Sequence, residues 1–302
     1  RPEWLPGYRV RILDGNHLPG SEHRLKELRT IGAGALPGHA LVVLDPRLML
    51  ATDVVLCEDG HAQERALLDQ VLGIVAAKDL WIADRNFCTT DFLFGIARRQ
   101  ASFVIRQHAS TLHWEFVGKR RACGRVDTGK VFEQTIPASN DAGEILFLRR
   151  ITVVLDKPTR DRDTELHLLT NVPAKDARAK VIADLYRRRW TIETAFQELE
   201  ATLHGEVNTL GYPKAALFAF CVALVAYNVL STVKAALRSV HGEEVVAEEV
   251  SGYYVADEIQ MTHRGMMIAI PEDEWVVFHD LSPVELADVL VGLARSVSLP
   301  KL

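Results

Sequence analysis

The longest apolar run of the chain, residues 215–233, limits the folds that the sequence can adopt. The run AALFAFCVALVAYNVLSTV contains 19 mostly apolar residues and is flanked by Lys214 and Lys234. A helix of this length is long enough to span a membrane, so an integral membrane protein is one alternative. Three polar residues near the end of the run weaken that alternative, and no second span accompanies it. We therefore predict a fully buried core helix.

Strand patterns alternate with helical patterns over the first third of the chain, and this alternation predicts an α/β fold with a sheet covered by helices. The short helix at the start has Ser21 as its cap. From about residue 111 to 172 only strand patterns occur, which predicts a β-rich insertion. Helical spacing returns at 177–203, and the tail 241–302 carries mixed short elements and a closing helix. The predicted order is strand 8–18, helix 21–29, strands 39–46 and 50–59, helix 62–75, strand 79–84, helix 89–100, strand 102–108, then strands 111–117, 130–136, 145–155 and 165–172.

Charged side chains are concentrated in the stretch YRRRWTIETAFQELE, residues 186–200. On one continuous helix, Tyr186 and Arg189 fall on nearly the same face as Glu193, beside an apolar stripe that packs on the core. A surface ion pair between Arg189 and Glu193, four residues apart, is the plainer interpretation of that pair.

Two aspartates follow apolar strands. Asp14 stands before Gly15 in a predicted turn, and Asp84 ends the strand at 79–84. Each is, taken separately, typical of a turn or cap residue. Carboxylates at strand ends in an α/β sheet lie where such folds build their sites. Together with Glu193 they predict an oxygen-rich cage for Mg²⁺ or Mn²⁺.

Composition excludes few classes of protein. The 302 residues are 48% hydrophobic and 25% charged, which is typical of a soluble globular chain. The net charge of −5 argues against a globally basic nucleic-acid binder, although a local basic patch is enough to contact phosphate. The four cysteines form no Cys-x-x-Cys pair, which indicates a reduced, cytoplasmic chain. A histidine-carboxylate site, built from His17 and His23 near Asp14, is an alternative metal centre.

The chain resembles the DDE transposases of bacterial insertion sequences. Their signature is Tyr-x-x-Arg-x-x-x-Glu, and Tyr186, Arg189 and Glu193 match its spacing. LDGNHL is similar to the segment around the first aspartate of the family, and IADRNFCT to that around the second. The resemblance runs from about residue 8 to 297. The family pattern places a lysine at position 200, where this chain has Glu200, which cannot grip phosphate.

The resemblance implies a ribonuclease H-like mixed sheet flanked by helices, with the β-rich insertion before the glutamate-bearing helix. It divides the chain into a core at 1–107 and 173–238, the insertion at 108–172 and a C-terminal region at 239–302. It also implies that Asp14, Asp84 and Glu193 hold two Mg²⁺ or Mn²⁺ ions for phosphoryl transfer.

By the same resemblance, Arg189 contacts a phosphate beside the cut and Tyr186 the DNA end. Arg187 extends the phosphate-binding surface, and Trp190 stacks on a distorted base or packs on the core. The basic stretch 118–125 is a further candidate DNA contact, with a solvated loop as the plainer interpretation.

The expected partners are the terminal inverted repeats, the target DNA and a second copy of the chain in a synaptic homodimer, and the expected location is the cytoplasm, at the nucleoid. Because the chain begins at Arg1, we expect a preceding segment that shares in end recognition. Two other functions stay open: a metal-dependent nuclease or resolvase of the same fold, and an inactive or domesticated copy that binds DNA without cutting it.

Overall fold

A computed structural model describes residues 2–18, 38–60, 62–108, 118–159, 162–203 and 212–299 of the chain. The chain divides into two compact units. The first comprises Arg1–Arg47, Ala51–Ala195 and Asn208–Leu217, and the second comprises Leu48–Leu50, Phe196–Val207 and Phe218–Leu302. The predicted boundaries of core, insertion and C-terminal region stay predictions.

A mixed sheet forms the first unit, and nine strands of it lie in the described residues, in the order β3-β2-β1-β4-β5-β9-β8-β7-β6. Strand β1 runs parallel to β4, and β4 parallel to β5. Strand β2 is antiparallel to β1, and the ladders from β5 through β9, β8 and β7 to β6 are all antiparallel. The strands are β1 (Arg9–His17), β2 (His39–Asp45), β3 (Leu50–Cys57), β4 (Asp79–Ala83), β5 (Ser102–Arg106), β6 (Arg121–Val126), β7 (Gly129–Ser139), β8 (Ile145–Leu155) and β9 (Glu165–Thr170).

Helices flank this sheet, so the predicted α/β class is confirmed. Helices α1 (Leu68–Ile74) and α2 (Thr90–Arg98) contribute side chains such as Val71 and Phe92 to the core cluster that also holds Trp81 of β4. The glutamate-bearing segment is α3 (Ala179–Arg187), a 3₁₀ turn (Arg188–Trp190) and α4 (Thr191–Leu203). The helical spacing predicted over 177–203 is therefore present from Ala179 to Leu203, and it tightens at Arg188–Trp190.

The strands predicted as an insertion are part of the main sheet. Strand β9 pairs with β5, with Ile105 opposite Leu169, so β6–β9 extend the sheet on the side of β5. The predicted helix at 21–29 and the predicted strand at 111–117 lie outside the described residues.

The second unit contains most of the long apolar helix α5 (Pro213–His241), which is followed by α6 (Glu243–Glu249), α7 (Gly252–Ala269), α8 (Glu272–Trp275) and α9 (Pro283–Ser296). Among the described helices, α5 has the length and hydropathy of a membrane span, and its most apolar 18-residue window is 44% buried. The prediction of full burial is wrong, because one side of α5 is exposed. That side carries Phe218, Val222, Val225 and Val229, at helical spacings of four, three and four residues.

The N-terminus of helix α2 is capped by the side chain of Thr89. The Thr89 hydroxyl accepts a hydrogen bond from the backbone N–H of Phe92, and this bond caps α2. We expect Thr89→Ala to lower the free energy of unfolding by about 1 kcal/mol, because a helix-terminal N–H loses its acceptor. Urea unfolding measures this loss. Thr89→Ser retains the hydroxyl and is the control, and equal losses in both variants would contradict the capping role.

Candidate active site

The register of two parallel strands brings the two candidate aspartates together. Leu13 of β1 pairs with Ala83 of β4, so the next residues along the two strands are Asp14 and Asp84. The predicted turn at Asp14 and Gly15 is wrong, since β1 continues to His17 against β2, with Asp14 opposite Val42. On the side of β4, however, the ladder ends at Leu13 and Ala83, which frees the space around both carboxylates.

The helix α3 adds a tyrosine to this site. Tyr186 is 8% exposed, and its hydroxyl donates a hydrogen bond to Oδ1 of Asp84 at 3.0 Å. The buried tyrosine therefore orients the second aspartate.

Arg189 joins the other two carboxylates. Its Nη1 lies 2.5 Å from Oδ2 of Asp14, and its Nη2 lies 2.7 Å from Oε1 of Glu193. Arg189 is 8% exposed, so the surface ion pair considered for Arg189 and Glu193 is wrong. The 3₁₀ turn between α3 and α4 carries this arginine, and the helical spacing to Glu193 is preserved across it.

Burial and charge together set the protonation of the site. Burial raises the pKa of Asp14 from its ordinary value of 3.8 to about 6, against the opposing effects of Arg189 and the Gly15 N–H, and Glu193 and Asp84 raise it further. Burial also raises the pKa of Tyr186, and the negative charge of Asp84 adds to this. Burial acts to lower the pKa of Arg189, but Asp14 and the other neighbouring acidic groups outweigh it and raise this pKa.

The donor chemistry of the site suits a hard divalent cation. Three carboxylates act on one another across a small, partly buried volume, and carboxylate oxygen is the ligand that Mg²⁺ and Mn²⁺ prefer. Within the described residues, no three His, Cys, Asp or Glu side chains stand close enough together to form a ready-made metal cluster. Arg189 explains why the carboxylates stand apart, because its guanidinium lies between Asp14 and Glu193.

A cavity of about 520 Å³ opens beside Tyr186. Apolar side chains of β8, β9 and α3 line it together with Arg187 and Trp190. Trp190 is 64% exposed, so the core-packing interpretation of this residue is wrong. Arg187 is ion-paired with Asp127 at 3.1 Å.

Sequence reasoning missed Arg106. Arg106 is the last residue of β5 and lies one position beyond Ile105, which pairs with Ala83. Because Ala83 in turn pairs with Leu13, the next residues Asp14, Asp84 and Arg106 lie at matching positions along β1, β4 and β5. The guanidinium of Arg106 lies 2.5 Å from Asp163, and its charge opposes, without reversing, the rise in the pKa of Tyr186. The register of β4 and β5 brings Arg106 to this position, and that register cannot be read from the sequence.

Three other predictions have mixed outcomes. The loop interpretation of the basic stretch 118–125 is wrong, because its residues from Arg121 onward belong to β6. Its arginines pair with the carboxylates of Glu165, Glu133 and Asp156. No metal cluster forms around His17 among the described residues, and His23 lies outside them. Glu200 falls in α4, and its side chain also lies outside the described residues.

Comparison with known proteins agrees with this geometry. Residues 5–229 match the family described as the transposase DDE domain. The chain belongs to the DDE transposase family. The resemblance stated from Tyr186, Arg189 and Glu193 is thereby confirmed, and membership of the family implies dependence on divalent metal ions.

The named relatives are transposases of insertion sequences from Escherichia coli. The putative transposase InsL of element IS186A and the transposase of element IS421 are both 26% identical over 238 residues, which is 66% of this chain. This chain covers 58% of the length of each of these relatives.

A solved transposase structure shares the fold. It is a piggyBac transposase synaptic complex with hairpin DNA, with a TM-score of 0.50 and 11% identity, covering 95% of this chain and 57% of that one.

The raised pKa of Asp14 predicts a pH dependence of stability. The folded state binds a proton at Asp14 more tightly than the unfolded state, so the free energy of unfolding falls as the pH rises from about 4 to about 6. At about 1.4 kcal/mol per pKa unit, this fall is roughly 3 kcal/mol. Denaturant unfolding at a series of pH values measures it.

Asp14→Asn is the matched variant, because its amide has the same shape and does not ionise. Between pH 4 and pH 6, we expect the free energy of unfolding to fall by roughly 3 kcal/mol less in this variant than in the wild type. The same pH profile in both proteins would show that Asp14 titrates normally.

Proposed function

We propose that this chain is the catalytic part of a DNA transposase, which cleaves DNA at transposon ends and joins the freed strand to target DNA. The observation that carries the proposal is that Asp14, Asp84 and Glu193 lie close enough to affect one another's charge. Asp14 and Glu193 both form ion pairs with the buried guanidinium of Arg189. Family membership, and relatives named as transposases of insertion sequences, support the same conclusion.

The strands β3-β2-β1-β4-β5 and their helices are, we propose, a ribonuclease H-like core. The two aspartates that the resemblance requires leave neighbouring parallel strands, β1 and β4, and the glutamate comes from a helix after the sheet is complete. These placements support the finer fold assignment.

Asp14, Asp84 and Glu193 are the proposed ligands of two Mg²⁺ or Mn²⁺ ions. When bound, such ions neutralise the charge that develops on a phosphate during in-line displacement. Tyr186 holds Asp84 in place through its hydroxyl. Arg189 contributes a planar pair of donors that can exchange a carboxylate for a phosphate oxygen, and its buried Nε has no partner among the described residues.

The DNA contacts proposed for this chain lie beside these carboxylates. Trp190 presents an exposed ring at the cavity, where an unstacked base at the end of the element could stack on it. Arg187 stands on the same rim, where it pairs with Asp127, and Arg106 lies beyond Asp84, where it pairs with Asp163. The terminal repeats, the target DNA and a homodimeric synaptic complex in the cytoplasm complete the proposal.

Metal-dependent end cleavage tests the proposed activity. We expect nicking at the end of labelled DNA that carries the repeats flanking the gene, with Mg²⁺ or Mn²⁺ and not with chelator. Glu193→Gln should lower the rate by at least about a thousandfold, because a charged ligand to the ions is lost. Asp91→Asn, an exposed carboxylate on α2, is the control and should leave the rate unchanged.

The products separate the candidate functions. Cleaved ends joined to a second DNA indicate a transposase, and cleavage without joining indicates a nuclease of the same fold. Binding of the repeats with no cleavage in any metal would indicate a copy that has lost its chemistry.

Trp190 gives a separate test of the DNA contact. We expect Trp190→Ala to weaken binding of the element end by about 1–3 kcal/mol, which is the usual contribution of one stacked base. Trp190→Phe retains an aromatic face and should recover most of the affinity. Fluorescence anisotropy with labelled end DNA measures both, and an unchanged affinity in Trp190→Ala would remove this residue from the interface.

A further inference from the structure

A pair of side chains outside the three carboxylates holds the segment that follows Asp84. Glu64 and Arg65 lie in a 3₁₀ turn, Glu64–Leu67, that precedes α1. Glu64 accepts a hydrogen bond from the side-chain amide of Asn86. Arg65 donates from Nε to the backbone carbonyl of Asn86 at 2.8 Å. Adjacent residues therefore fix both the side chain and the backbone of one residue.

The same glutamate also fills the space beside Asp14. A methyl group added at Gly15 would overlap the carboxylate of Glu64. Gly15 has no positive φ, so its backbone does not require glycine. The missing side chain is explained by the close approach of Glu64, which is a use of glycine wherever another group must pass near the backbone.

The turn that carries this pair is anchored in the core. Leu67 and Leu68 are 6% and 5% exposed and belong to the main core cluster. The segment that it holds is short and hydrogen-bonded, with the N–H of Phe87 donating to the carbonyl of Asp84 at 3.1 Å. Fixing Asn86 therefore fixes the backbone of Asp84.

We propose that Glu64 and Arg65, the Glu64–Arg65 clamp, are positioning residues that set the separation of Asp14 and Asp84. The clamp touches Gly15, the residue after the first aspartate, and Asn86, the second residue after the other. It therefore links β1 to the segment after β4 at a point where the ladder between β1 and β4 has ended. Supporting residues of this kind keep metal ligands within a fraction of an ångström of their working geometry. The inference rests on the proposed function for its catalytic consequence only.

Hydrogen exchange tests the clamp without metal or DNA. We expect Glu64→Ala to speed exchange of the Phe87 and Cys88 amides by at least tenfold, because the segment loses the acceptor that holds Asn86. Glu64→Gln keeps an acceptor and should stay near the wild-type rate. Asp69→Ala, an exposed carboxylate on α1, is the control. Equal exchange in Glu64→Ala and Asp69→Ala would overturn the proposal.

Manganese binding tests the effect on the carboxylates, with free Mn²⁺ read from its electron paramagnetic resonance signal. Glu64→Ala should weaken Mn²⁺ binding by about tenfold or more. Gly15→Ala should do the same, because the added methyl displaces Glu64. In the double variant the space is already vacant, so the two losses should not add. Fully additive losses would contradict a shared mechanism.

The two measurements keep the inference apart from the proposed function. A wild-type chain that binds no Mn²⁺ would count against the proposed metal chemistry, while the exchange rates would still decide the clamp. Normal Mn²⁺ binding in Glu64→Ala, with tight binding in wild type, would overturn the positioning role even if cleavage proceeds.

Discussion

The buried guanidinium of Arg189 is the interaction on which the site depends. It connects Asp14 on the sheet to Glu193 on α4, and these residues are far apart along the chain. A charged group taken from water costs several kcal/mol unless it is paired, and here two carboxylates provide the pairing. Removing the arginine would leave Asp14 and Glu193 facing each other without compensation.

This arrangement also explains why the carboxylates do not form a metal cluster as they stand. One cation already occupies the gap between Asp14 and Glu193, and it is a side chain. Three acidic side chains, Asp14, Asp84 and Glu193, stand against this one guanidinium, so acidic groups are in excess at the site. An excess of carboxylates attracts divalent ions. If such ions bound Asp14 and Glu193, the guanidinium of Arg189 would be free to bind a phosphate.

The sheet determines how the other groups reach this point. Parallel pairing of β1, β4 and β5 aligns Asp14, Asp84 and Arg106 in one row. Strands β6–β9 continue the sheet past β5, and the cavity with Trp190 lies between that extension and α3. Although the chain has a net charge of −5, Arg187 and Trp190 both line the cavity beside Tyr186.

The sequence by itself predicted most strands and helices of the sheet unit, although not β6, and it predicted the three carboxylates. Alternation of apolar residues marks strands such as β4, and the spacing Tyr186, Arg189, Glu193 is local, so both can be read along the chain. Tertiary structure alone decided the rest, because it depends on register and on contacts between distant residues. It placed Arg106 beside Asp84, buried Arg189 between two carboxylates and set Glu64 over Gly15. It also left one side of α5 exposed, since an apolar run states only that burial is favourable and not whether the chain supplies enough surface to cover it.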